Sequence, residues 1–268
     1  MIDSQALGRP EILQRIEEEQ RARRLRFRGT FGLVWLALVG GLVLVLWSSG
    51  NINLAFYDRW AAFILEGTWT TLVICVSSII LATALAVVGA IARLSPNAVI
   101  YAVASLYVSL VRGTPLLVQI YFVYLALPEV GIVLGPIEGG ILALGFNYGA
   151  YMTEIFRAGI QAVPKGQTEA ARALGMPEAL ILRRIVLPQA IRIVIPAIGN
   201  EFIAMIKDSA LVSVISVTEL LWRARRAGTG AFQTLPALLL AAAMYWLLTI
   251  IFSFFQEWLE RRMARSDR

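Results

Sequence analysis

The chain has 268 residues, of which 58% are hydrophobic and only 16% charged, with a mean hydropathy of +0.71, a balance that ordinary soluble domains do not show. Such a composition reads as an all-α membrane protein. One cysteine excludes an intrachain disulfide, and the absence of histidine removes the commonest metal ligand and general base, so metal hydrolysis and Ser-His-Asp chemistry are poor fits.

The net charge of +6 takes its meaning from where the basic groups sit rather than from nucleic acid, which is not expected as a partner. Seven arginines precede residue 29 and four follow residue 260. By the positive-inside rule both ends lie in the cytoplasm, so an even number of spans is expected.

In chain order, residues 1–28 form a charged cytoplasmic helix and 29–50 an additional N-terminal span. That span is built on the run Phe31 to Trp47, too long and too far from the start for a cleaved signal peptide. Residues 51–66 are expected as an outer-side connection. A second run extends from about Thr68 to Arg93. A third, about Val99 to Leu127, is broken at Arg112-Gly113-Thr114-Pro115, where proline forbids a continuous helix. The fourth, about Gly139 to Ile160, carries Asn147, Glu154 and Arg157, and Glu154 and Arg157 are spaced to pair. Residues Val163 to Arg192 are polar, basic and amphipathic. The fifth run, Ile193 to Val217, contains Pro196, Asn200, Glu201, Lys207 and Asp208, and the sixth runs from about Leu235 to Trp258. Six transmembrane helices follow, with a core region over 67–260 and a basic cytoplasmic tail over 261–268. Basic residues concentrate in the inner loops; the outer connection holds only Arg59, and the exception is Arg223, Arg225 and Arg226, which fall in an outer loop.

The polar stretch has Glu169-Ala170-Ala171, three residues, Gly175, nine residues, then Ile185-Val186-Leu187-Pro188. This spacing resembles the EAA loop, about 163–190 here, of the membrane-spanning subunits of ABC importers. The segments Arg112-Gly113-Thr114-Pro115-Leu116-Leu117-Val118-Gln119, Asn147-Tyr148-Gly149-Ala150-Tyr151, Leu187-Pro188-Gln189-Ala190 and Lys207-Asp208-Ser209 resemble the polar amino acid permease branch, of the histidine and glutamine type. The likeness covers about Leu65 to the C-terminus. It departs in the additional N-terminal segment and at Ala210, where the branch usually carries a hydroxyl.

The resemblance implies a permease subunit of an ATP-driven importer in a bacterial inner membrane. Its implied partners are ATP-binding cassette subunits, a second permease copy or paralogue, an extracytoplasmic solute-binding protein and a polar amino acid substrate. The chain has no Gly-x-x-x-x-Gly-Lys-Ser/Thr loop, so no cofactor is expected in it, and ATP and Mg belong to the partner ATPase. No catalytic residue is assigned. An ion-coupled secondary transporter using Glu154, Glu201 and Asp208 is the alternative.

Physical chemistry gives two candidate sites. Glu169, Ala170, Ala171 and Leu174 favour a short surface helix with small residues for close approach, Gly175 can take the left-handed turn that ends it, and Met176 follows. This is the expected coupling site. Along the pathway, an amino acid needs partners for both charges. Asp208 is the expected partner for the ammonium and Lys207 or Ser209 for the carboxylate, with Gln119 and Asn200 as neutral hydrogen-bonding groups. Lys207 and Asp208 face different directions around a helix, which predicts a break between about Lys207 and Ser213.

Overall fold

The computed structural model describes residues 9–48, 50 and 52–264. Residues 1–8 of the charged N-terminal segment and 265–268 of the basic tail lie outside the described residues. The chain divides into two units, Met1–Leu54 and Ala55–Arg268.

The first unit is described as one helix, α1 (Arg9–Ser48). Its 40 residues give a rod of about 60 Å. Arg21, Arg23, Arg24, Arg26 and Arg28 precede an apolar stretch whose described side chains are almost all exposed. Phe27 and Phe31 stack one turn apart, and Trp35 lies tilted against Phe31 a turn later.

In the second unit, α2 (Leu54–Arg93) is another 40-residue helix. It begins well before the expected run, so most of the supposed connection at 51–66 is helical. Asp58, Arg59 and Glu66 interrupt the apolar pattern there, yet Phe56 and Ile64 are buried against Leu220, Ala224, Ala227, Ala237 and Ala241. α3 (Ala98–Gly113) starts under an Asn97 cap, whose side-chain oxygen accepts from the Val99 amide at 2.9 Å. After Pro115 the chain turns by 109° into α4 (Leu116–Tyr121), which continues through a π-helical turn, Phe122–Ala126, and a short 3-10 turn, Pro128–Val130. α5 (Pro136–Gln161) follows.

The polar loop holds α6 (Lys165–Ala173) and α7 (Glu178–Ile181), the latter running through a π-helical turn, Leu182–Val186, into α8 (Leu187–Asp208). The expected break after Lys207 is a tightening instead of an opening. Hydrogen bonding changes to the 3-10 pattern over Ser209–Ile215, and the Ser209 hydroxyl donates to the Ile206 carbonyl at 2.7 Å. α9 (Leu220–Gly230) and α10 (Thr234–Ala264) complete the unit.

By length and apolar composition, α1, α2 and α10 can cross a membrane, and the bent α3–α4 pair makes a fourth candidate. At 26 and 22 residues, α5 and α8 exceed the roughly 20 residues a span needs. Their internal polar groups lower their hydropathy; Asn147, Glu154, Glu201 and Asp208 are buried or half-buried, whereas Arg192, Asn200 and Lys207 are exposed. The main core is buried between α2, α4, α5, α8 and α10 around Ile74, Ile120, Leu144, Met152, Met205 and Leu248. Large apolar side chains such as Val103, Leu106 and Ile251 face outward, as a lipid-facing surface requires.

Gly67 sets the joint between α2 and α9. A Cβ there would lie 2.7 Å from the Leu220 Cα, a backbone atom that cannot swing aside. Gly67→Ala is expected to destabilise the fold by about 1–3 kcal/mol through overpacking, read as a lower melting temperature of the solubilised chain.

Candidate functional site

The corner between α3 and α4 positions the central cavity. A helix end leaves its last carbonyls without partners, and here Gln119, from the next helix, reaches back to them. Its Nε2 lies 2.7 Å from the Val111 carbonyl and 3.0 Å from both the Thr114 carbonyl and hydroxyl oxygens. Its Oε1 accepts from Asn147 Nδ2 at 3.2 Å, tying the corner to α5.

Beneath this corner lies a cavity of about 490 Å³. Arg112, Gly113, Thr114, Pro115 and Leu116 form one wall, Asn147, Tyr148 and Tyr151 of α5 a second, and Glu201 and Asp208 of α8 the third. The Arg112 guanidinium sits over the Tyr151 ring, 5.2 Å from its centroid. The Tyr148 hydroxyl donates to Asp208 Oδ2 at 2.8 Å, and Glu201, two turns earlier on the same face, is half-buried. The cavity therefore opposes one guanidinium to two carboxylates.

Of the five residues expected along the pathway, the cavity collects Asp208 alone. Lys207 points outward and is exposed, as the helical phase of adjacent residues requires. Asn200 is also exposed and accepts from Gln256 Nε2 of α10 at 2.8 Å. Ser209 is fully buried and its hydroxyl bonds back to its own helix. Gln119 braces the corner as described. Arg112 and Tyr148, unassigned from the sequence, and Glu201, named there only for the ion-coupled alternative, occupy the walls instead. The signal for Glu201 was its seven-residue spacing from Asp208, and for Arg112 its place just before the proline break. Glu154 does not reach this cavity: it accepts from Arg157 at 2.8 Å and from Arg93 at 3.1 Å, joining α5 to α2.

The second candidate site is the loop helix α6. The Met176 amide donates to the Ala171 carbonyl and the Gly175 amide to the Arg172 carbonyl, at 3.1 and 2.9 Å. These two bonds, with Gly175 at φ +76°, make a Schellman end. The six expected coupling residues divide by face. Ala171 is buried against Val163, Ile181, Val186 and Ala190, with Met176 packed beside them. Glu169, Ala170 and Gly175 are exposed, and Leu174 is 82% exposed. Gln189 of α8 donates to Gln167 of α6 at 2.6 Å. The Arg172 guanidinium donates to Glu178 at 2.5 and 3.2 Å and holds its carboxyl below the usual carboxylate range. The outcome is a small helix fixed to α8 that presents an apolar knob to solvent.

Arg223, Arg225 and Arg226 do not form an exposed loop, because they lie on α9. Arg223 is taken up by the Phe63 carbonyl at 3.1 Å, the Phe63 ring and Glu66. Arg225 and Arg226 remain exposed beside a second cavity with Tyr121 and Trp222.

With this geometry in hand, the sequence profile of the family described as "Binding-protein-dependent transport system inner membrane component" matches residues 85–265. The chain belongs to this family. Among its relatives is the arginine transport system permease protein ArtQ of Bacillus subtilis, 39% identical over 206 residues, covering 76% of this chain and 94% of that protein. The L-cystine transport system permease protein TcyB of the same organism is 40% identical over 200 residues, covering 74% and 86% of the two chains. A solved structure described as an amino acid ABC transporter with histidines superposes with a TM-score of 0.75 at 36% identity, covering 79% of this chain and 99% of that one. Membership places the chain among membrane transport components, and the family match takes in α6, α8 and the whole cavity lining.

Gln119→Leu is expected to leave the Val111 and Thr114 carbonyls without their donor and to cost about 1–3 kcal/mol. The loss of thermal stability should be the same with and without amino acid present. A loss seen only with amino acid present would give Gln119 a ligand contact instead of a bracing role.

Proposed function

We infer that the chain is the permease subunit of an ATP-driven importer of polar amino acids. The observation that carries this reading is the pairing, in one family member, of a charged cavity with a rigidly mounted loop helix. In the cavity, Arg112 is the partner for the substrate carboxylate and Asp208, oriented by Tyr148, the partner for its ammonium. This replaces Lys207 and Ser209 with a group that lines the same space as Asp208. Burying a zwitterion against matched charges offsets the cost of removing it from water.

The loop helix gives the coupling step. Leu174 and the exposed faces of Glu169, Ala170 and Gly175 enter a groove on a separate ATPase subunit, which holds ATP and Mg. Ala171 and Met176 hold the helix to α8, so movement of the ATPase is passed to the helix that carries Glu201 and Asp208. The arrangement calls for two ATPases, a second permease copy or paralogue, and an extracytoplasmic solute-binding protein. Nothing in the cavity favours ion coupling, since Glu154, one of its three required carboxylates, is committed to Arg93 and Arg157.

Two measurements test this reading. Space around Gly175 is open, with no neighbouring atom within 4 Å of the position a Cβ would take, so Gly175→Asp incurs only the left-handed strain of about 1–2 kcal/mol while placing a charge beside Leu174. Insertion and folding should survive, and transport-coupled ATPase activity should collapse; unaltered coupled activity would remove α6 from the contact. For orientation, the arginine distribution puts the N-terminal segment, α6 and the C-terminal tail in the cytoplasm of a bacterial inner membrane. In a Cys75→Ser background, Gln167→Cys should resist an impermeant maleimide in intact cells and react in inverted vesicles. Labelling in intact cells would reverse the topology.

A further inference from the structure

We propose that Arg21, Arg23, Arg24, Arg26 and Arg28 of α1 form a collar that binds anionic phospholipid headgroups of the inner leaflet. The proposal rests on the cytoplasmic placement of the N-terminal segment and does not depend on what the chain transports.

The spacing sets the collar at the right depth. From Arg21 to Arg28 the sequence reads Arg-Ala-Arg-Arg-Leu-Arg-Phe-Arg, five guanidinium groups in eight residues with no acid among them, and all of these side chains are exposed. Steps of about 100° per residue spread the arginines around the circumference of the helix and over about 10 Å of its axis. The apolar stretch Phe31 to Trp47 begins three residues later and runs for about 25 Å, close to the thickness of the hydrocarbon. When α1 crosses the bilayer, the collar falls among the headgroups, where arginine stems follow apolar surface while the guanidinium stays with phosphate.

The collar has no counter-charge of its own. In the second unit, Arg93 and Arg157 are matched by Glu154, Arg172 by Glu178, Arg223 by Glu66 and Arg261 by Glu257. Among the described residues no carboxylate pairs with any collar arginine, and Arg24 reaches only the Gln20 side-chain oxygen, at 3.4 Å.

The ring form decides the partner. The acidic face of a protein would be met by a stripe of charge along one side of the helix, whereas a bilayer surrounds it. Leu25 and Phe27, 64% and 69% exposed between the arginines, need apolar surroundings within the same two turns, which the boundary between headgroups and acyl chains supplies and water does not. A guanidinium fork donates two parallel hydrogen bonds to a phosphate, and an anionic headgroup leaves a net charge that a zwitterionic one cancels. The collar lies outside the family match at residues 85–265, so it is a feature added to the shared transport region.

The test places a bimane fluorophore at Ala22→Cys in a Cys75→Ser background, with the full chain in nanodiscs of mixed phosphatidylglycerol and phosphatidylcholine. A nitroxide near the top of the acyl chain, carried by one lipid or the other, quenches at short range and reports which lipid lies beside the collar. Phosphatidylglycerol is expected to quench about fivefold more than phosphatidylcholine, the scale of one basic group at an anionic surface, and added salt should reduce the ratio. Arg23→Gln with Arg26→Gln should bring the ratio toward one, and lysine at both positions should keep most of it. Equal quenching by the two lipids, the result for a collar that serves an acidic protein instead, would overturn the proposal, as would a ratio that survives the glutamine substitutions. An equal loss on neutralising Arg183 and Arg184 would show a field of the whole protein and overturn the assignment to the collar. Labelling of Glu18→Cys, in the same Cys75→Ser background, by an impermeant maleimide in intact cells would overturn the inner-leaflet placement itself.

Discussion

Charged groups inside a predominantly apolar bundle must find water or an opposite charge, because an isolated ion in hydrocarbon is too costly to keep. The second unit meets this demand in three ways. Glu154 is clamped between Arg93 and Arg157, closing one end of α2 against α5. Glu219, fully buried, caps α9 by accepting from the Leu221 and Trp222 amides at 2.8 and 2.7 Å and from the Tyr245 hydroxyl at 2.5 Å. Arg112, Glu201 and Asp208 are left around an open cavity. The first two arrangements are saturated and belong to structure. The third retains bonding capacity, and it is this cavity that is proposed to receive the amino acid.

This division was partly legible in the sequence. The apolar runs located the helices because lipid and core both select against charge over about 20 residues, and the EAA spacing located α6 together with its glycine end. α9 escaped because its buried positions are mainly Ala224, Ala227 and Gly228, too small to raise a hydrophobic signal, with arginines between them. The first turns of α2 escaped because their apolar side chains pack on protein and alternate with charge. At the cavity, a seven-residue spacing puts Glu201 with Asp208 on one face of α8 and Asn200 with Lys207 on another. It could not tell which pair faced inward, since that depends on how α8 packs against α5 and the α3–α4 corner. Gln119 shows the same limit: a polar residue beside a proline break can serve a ligand or the orphaned carbonyls that the break creates, and the sequence is identical in both cases.

The loop helix and the cavity are joined by α8. Its first turns touch α6 through Gln189, and its last carries Asp208. Pro196 lies inside the helix, where its ring removes an amide donor. The loop helix and the cavity wall are therefore connected through one element.

The length of α2 has a mechanical consequence. A 40-residue helix is about twice as long as the hydrocarbon core is thick, so part of it stands beyond the bilayer, and the portion before Gly67 is the part braced by α9 and Arg223. A stiff rod that crosses a membrane and continues outside it is a lever. In such a rod a small change of tilt within the lipid would sweep the far end sideways, and the contacts of Gly67 with Leu220 and of Arg223 with the Phe63 carbonyl are what resist that sweep.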